Sequence, residues 1–61
     1  MREDLLFTIE EWRAGALVHV LVWSSDEDLA RAAFARAISK YPSKWLRLLR
    51  KGAIILDERQ T

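Results

Sequence analysis

The stretch from Val18 to Asp28 constrains the fold more than any other part of this 61-residue chain. It begins with the run Val18-His19-Val20-Leu21-Val22-Trp23, whose β-branched and aromatic residues are typical of a strand. Two serines and three acidic residues follow, and this combination is typical of a helix N-terminus. A strand that leads directly into a helix predicts an α+β fold in which a helix packs on a small sheet.

The helix is expected to run from about residue 26 to residue 41. Its apolar residues recur at helical spacing: Leu29, Ala30, Ala33, Phe34, Ala37, Ile38 and Tyr41. Either Ser24 or Ser25 would cap its N-terminus in a capping box, since each has an acidic residue three positions later. Pro42 ends the helix, because the residue before a proline disfavours helical backbone angles.

Alternating and turn-forming residues predict three or four strands around this helix. We expect these strands at about residues 5–12, 17–23, 44–50 and 53–57. Gly15 lies in a short connection, so the first two strands would form an antiparallel hairpin. Gly52 lies either in a two-residue hairpin turn, which we favour, or in a bulge within one long strand. The prediction is a single domain, residues 1–61, with an antiparallel sheet, one helix on one face and the order ββαβ(β).

A chain this short is expected to have a low free energy of unfolding as a monomer. A domain of this size buries only about 60% of its unfolded surface, so it is marginally stable alone. There are no cysteines, which excludes disulfides and thiolate metal sites. Small folds that lack these supports commonly gain stability by association. We therefore expect the protein to be a homodimer or a higher oligomer.

No motif indicates catalysis or cofactor binding. His19 is the only histidine, and it lies among strand-forming residues with no nucleophile placed beside it by a local motif. Two glycines cannot build a phosphate-binding loop, and a zinc site would need mostly carboxylate ligands. We predict a protein that is not an enzyme and that has no catalytic, metal-binding or cofactor-binding residues.

One helix can cover only one face of the sheet. Leu5, Phe7 and Ile9 of the first strand and the valines of the second would face the helix, and their sequence neighbours would face away. This alternation predicts an uncovered interaction face formed by Trp12, Leu17, His19, Leu21, Trp23, Trp45, Arg47 and Leu49. A bulge in any strand would change part of this assignment. An exposed apolar surface that contains tryptophans is typical of a binding site.

Two functions fit such a face. The one we favour is a non-enzymatic protein-interaction module, which associates with itself or with a protein partner through the uncovered face or a strand edge. The alternative is a small nucleic-acid-binding protein, whose tryptophans stack on bases while basic residues such as Arg47 hold phosphates. Residues 1–30 carry a net charge of −5 and residues 31–61 one of +6. The total of only +1 favours the first function, as do the leucines beside the tryptophans.

The chain has no feature of a membrane protein or of a secreted one. No apolar run approaches the ~20 residues of a membrane span. The first residues, Met1-Arg2-Glu3-Asp4, lack the basic region and the cleavage site of a signal peptide. We therefore expect a cytoplasmic protein that does not bind membranes.

Three segments also suggest a resemblance to other proteins. They are a strand that ends in Trp23, the helical stretch Asp28-Leu29-Ala30-Arg31-Ala32-Ala33-Phe34, and the stretch Leu49-Arg50-Lys51-Gly52-Ala53. In these segments the chain resembles short bacterial ββαβ proteins of unknown function. The resemblance implies a bacterial protein with this order of elements, and it implies nothing about activity.

Overall fold

A computed structural model of the chain describes residues 6–59. Its elements are β1 (Phe7–Arg13), β2 (Ala16–Ser24), α1 (Glu27–Lys40), β3 (Trp45–Arg50) and β4 (Ala53–Arg59). The strands form one antiparallel sheet in the order β2-β1-β3-β4. The predicted α+β class is therefore confirmed, with the order ββαββ. β4 continues two residues beyond its predicted end, and Leu5 lies outside the described residues.

The core lies between α1 and one face of the sheet. It consists of the buried residues Phe7, Ile9, Ala30, Phe34, Ala37, Leu46 and Leu48. The small side chains of two alanines allow α1 to approach the sheet closely, while Phe34 fills the space between them. The central strands β1 and β3 therefore have one face covered by the helix.

The N-terminus of α1 is capped by Asp26, so the predicted serine caps are wrong. Asp26 Oδ1 accepts a hydrogen bond of 2.9 Å from the backbone N–H of Leu29. Ser24 still belongs to β2, and its hydroxyl oxygen accepts a hydrogen bond of 3.1 Å from the backbone N–H of Asp26. A carboxylate at this position also interacts favourably with the helix dipole. The helix ends before Pro42, as predicted.

Both hairpins turn through two residues with positive φ. These residues are Ala14 (54°) and Gly15 (79°) between β1 and β2, and Lys51 (51°) and Gly52 (84°) between β3 and β4. Two consecutive positive φ angles are typical of type I′ turns, whose twist matches that of the flanking strands. Residues 51 and 52 therefore form the hairpin that we favoured. The first residue of each turn has a Cβ atom and is strained in this conformation.

We expect Ala14→Asn to raise the free energy of unfolding by roughly 0.5–1 kcal/mol. Asparagine adopts the left-handed conformation more readily than alanine does, and Asn-Gly is a preferred type I′ pair. Urea denaturation would measure the change. Ala14→Val is the opposite control, because a branched Cβ is disfavoured at positive φ. A destabilising effect of asparagine would contradict the assigned turn.

Two β-bulges in β2 change the direction of its side chains. The register with β1 shifts twice, and the extra residues are Val18 and Leu21. Each extra residue reverses the alternation beyond it. The structure therefore places His19 opposite Glu11 on the helix side, and it packs Leu21 against the core, contrary to the prediction for both residues. Val20, which was predicted to face the helix, lies on the opposite side.

Candidate interaction face

The side of the sheet away from α1, which we call the open face, carries three rows of side chains that each cross all four strands. Residues directly opposite each other in antiparallel strands share a face, so the register defines the rows. Each row is given from the β2 edge to the β4 edge. The apolar row is Trp23, Thr8, Leu49 and Ile54. The charged row is Val20, Glu10, Arg47 and Asp57, and the aromatic row is Leu17, Trp12, Trp45 and Arg59.

Most of the residues predicted for the uncovered surface lie together on the open face. They are Trp12, Leu17, Trp23, Trp45, Arg47 and Leu49. All three tryptophans therefore share one side of the sheet. His19 and Leu21 lie on the other side because of the two bulges.

Arg47 lies over two neighbouring indole rings, those of Trp12 and Trp45, and with them and Arg59 it forms a group that we call the stack. The Arg47 guanidinium carbon is 4.5 Å from the ring centroid of Trp12 and 4.6 Å from that of Trp45. The two ring centroids are 6.0 Å apart. The guanidinium of Arg59 lies 3.9 Å from the Trp45 centroid. Cation–π contacts of this kind contribute about 0.5–1 kcal/mol each at exposed sites and more when desolvated.

Carboxylates complete the hydrogen bonding of the stack. Trp12 Nε1 donates to Glu10 Oε1 over 2.9 Å, and Trp45 Nε1 donates to Asp57 Oδ1 over 2.7 Å. Asp57 Oδ2 lies 3.5 Å from Arg47 Nε, at the distance of an ion pair but without hydrogen-bond alignment. The Arg47 side chain is only 18% exposed. Its charge is therefore compensated largely within the chain.

The apolar row, by contrast, has exposed ends. Trp23 is 61% exposed at the β2 edge and Ile54 is 47% exposed at the β4 edge, while Leu49 between them is buried. Leu17 and Val18 add further exposed apolar surface to β2. Several large apolar side chains exposed on one face of a sheet are typical of an interface.

Glu11, on the helix side, is a buried carboxylate that the sequence interpretation did not single out. It is 3% exposed. Its oxygens lie 3.1 Å from Lys44 Nζ, 3.4 Å from His19 Nε2 and 3.5 Å from Arg13 Nη2. These basic groups offset the cost of burying a charged side chain. The alternation of β1, extended by one more residue, would have placed Glu11 on the covered side.

Neither metal ligands nor sequence similarity points to a function. Within residues 6–59, no three His, Cys, Asp or Glu side chains are grouped so that they could hold a metal ion. The single helix of the same stretch is too short and too polar to cross a membrane. No protein-family model, curated protein or solved structure matches the chain.

Proposed function

We propose that this chain is a non-enzymatic interaction module that forms a homodimer through the open face. The observation that carries the proposal is the apolar row, in which Trp23 and Ile54 are exposed on either side of the buried Leu49. Removing apolar surface from water contributes about 25 cal/mol per Å². A small fold whose sheet has one uncovered face gains the stability that it otherwise lacks by covering that face.

A second copy can be placed on this surface so that the apolar row meets itself. A two-fold axis parallel to the strands would exchange the β2 and β4 ends of each row. Trp23 of one copy would then face Ile54 of the other copy, and Glu10 would face Arg47. Apolar side chains meet at the ends of the apolar row and opposite charges meet at the centre of the charged row, at the ~10 Å spacing of packed sheets.

The stack supports association with a protein surface over binding to nucleic acid. Base stacking needs accessible ring faces, and phosphate binding needs cations that are not already compensated. Arg47 lies over the rings of both Trp12 and Trp45, and the Asp57 carboxylate lies beside it. These three side chains are engaged with one another, and Trp23 is the one tryptophan whose indole is mostly exposed for stacking on bases.

Trp23→Ser is expected to weaken dimerisation about 30-fold while leaving the helical signal unchanged. A tryptophan that is buried in an interface commonly contributes about 2 kcal/mol or more, which corresponds to this factor. The loss should not extend to the fold, because Trp23 is mostly exposed in the single chain. Sedimentation equilibrium would give the dissociation constant, and far-ultraviolet circular dichroism would report on α1.

The chain offers two controls for this experiment. Leu29 is also an exposed apolar residue, at 67%, but it lies on α1, so Leu29→Ser should leave the dissociation constant unchanged. His19→Gln should also leave it unchanged, because His19 lies on the helix side of the sheet. A parent protein that stays monomeric at high concentration, or equal dissociation constants for parent and Trp23→Ser, would contradict the proposal. Salt-dependent retention on a polyanion resin would support the nucleic-acid alternative instead.

A further inference from the structure

A cavity of about 470 Å³ lies at the end of the sheet where the β1–β2 turn is found. Its walls come from the end of β1, the turn itself, the start of β3 and the end of β4. Sites for small molecules typically have volumes of about 300–1,000 Å³. The cavity is therefore large enough for a small organic ligand.

Positive charge dominates the lining of this cavity. Among residues 6–59, Arg13, Lys44 and Arg59 line it, together with one carboxylate, Glu11. Three cations and one anion give these described lining residues a net charge of +2. Glu11 contacts both Arg13 and Lys44, and so it holds these two side chains at the cavity wall. The Arg13 side chain is 70% exposed, so most of its donors remain accessible to a ligand.

Aromatic surface forms another part of the lining. Trp12 and Trp45 both line the cavity, whereas Arg47, which lies over their rings, does not. Each indole therefore presents atoms to the cavity in addition to those that contact Arg47. Aromatic side chains also pack favourably against a planar ring through their edges.

We propose that this cavity binds a small aromatic anion, that is, a planar ring that carries a phosphate or a carboxylate group. The cations bind the anionic group through charge-assisted hydrogen bonds, for which the planar fork of Arg13 is well suited. The indoles of Trp12 and Trp45 contact the ring. Trp12, Trp45 and Arg59 belong to the aromatic row of the open face, whereas Trp23 of the apolar row does not line the cavity, so Trp23 reports on dimerisation separately from this site.

The three indole N–H signals in a proton–nitrogen NMR spectrum of isotope-labelled protein provide the test. AMP and benzoate each combine a ring with an anion, whereas adenosine and inorganic phosphate each supply only one of these parts. AMP or benzoate should shift the signals of Trp12 and Trp45 more than that of Trp23, at constant protein concentration. Adenosine and phosphate should each bind at least roughly tenfold more weakly than AMP, since each lacks half of the contacts.

Substitution of Arg13 distinguishes the cavity from a general attraction to basic groups. Arg13→Gln should weaken binding of the tighter anion roughly tenfold, which is the effect of losing one charged hydrogen bond. Arg31→Gln is the matched control, since this arginine lies on α1 in an ion pair with Glu27 and does not line the cavity. Unchanged signals with both anions at millimolar concentration, equal binding of adenosine and AMP, or unaltered affinity in Arg13→Gln would each overturn the proposal.

Discussion

Phe34→Ala is expected to lower the free energy of unfolding by about 3–5 kcal/mol. Phe34 is 4% exposed and is the largest side chain that α1 buries. The other buried residues of the helix are Ala30 and Ala37, which have no side-chain length with which to fill the resulting cavity. A small single core of this kind rarely supplies more than about 3–5 kcal/mol, so the variant should be largely unfolded at room temperature.

Arg31→Ala is the control for this change. Arg31 Nε lies 2.9 Å from Glu27 Oε2 in an exposed pair one helical turn apart. Such pairs contribute about 0.2–0.5 kcal/mol, so the urea midpoint should move little. Equal midpoints for the Phe34 and Arg31 variants would contradict the packing of α1 on the sheet.

Trp45→Ser is expected to lower the free energy of unfolding by roughly 2–3 kcal/mol, in contrast to the small effect on the fold expected for Trp23→Ser. Trp45 is half-buried, contacts two guanidinium groups and donates a hydrogen bond to Asp57. Its removal exposes Arg47 and leaves the aromatic row without its centre. Two tryptophans on the same face therefore have different roles, since Trp45 supports the fold and Trp23 is available to a second molecule.

Trp45→Phe separates the contribution of the aromatic ring from that of the hydrogen bond to Asp57. Phenylalanine keeps an aromatic ring beside Arg47 but cannot donate to Asp57, so we expect a loss of about 1 kcal/mol. Urea denaturation of the two variants, together with sedimentation, would measure fold and association separately. A Trp45→Ser protein with the parent's urea midpoint and a monomeric mass would show that Trp45 acts at the interface, as Trp23 does.

The elements of this fold could be predicted because each has a local signal. Gly15 and Gly52 occupy the positive-φ positions that the hairpins require, and Pro42 follows the end of α1. The apolar spacing around Phe34 identified the buried side of the helix. These signals depend on neighbours within a few residues, so the sequence alone displays them.

The bulges in β2 could not be predicted, and they determine which residues form the open face. Apart from His19, residues 17–23 are all apolar, so a shift of one residue leaves an equally plausible pattern. The contact of Arg47 with Trp12 was also beyond prediction, because it depends on the register between β1 and β3. The burial of Glu11 follows from the alternation of β1 once that alternation is extended by one residue, whereas the basic groups that compensate its charge depend on contacts distant in sequence.

The strand order β2-β1-β3-β4 determines how cooperatively this chain folds. Each hairpin pairs residues that are near in sequence, but the central pairing joins β1 to β3, for example Phe7 to Arg50, which are far apart along the chain. Closing so long a loop costs entropy, and the compensating burial is complete only when α1 packs on both β1 and β3. An isolated hairpin is at best marginally stable in water. Separating β1 from β3 therefore releases both hairpins and the helix together, and we expect no half of this chain to persist alone.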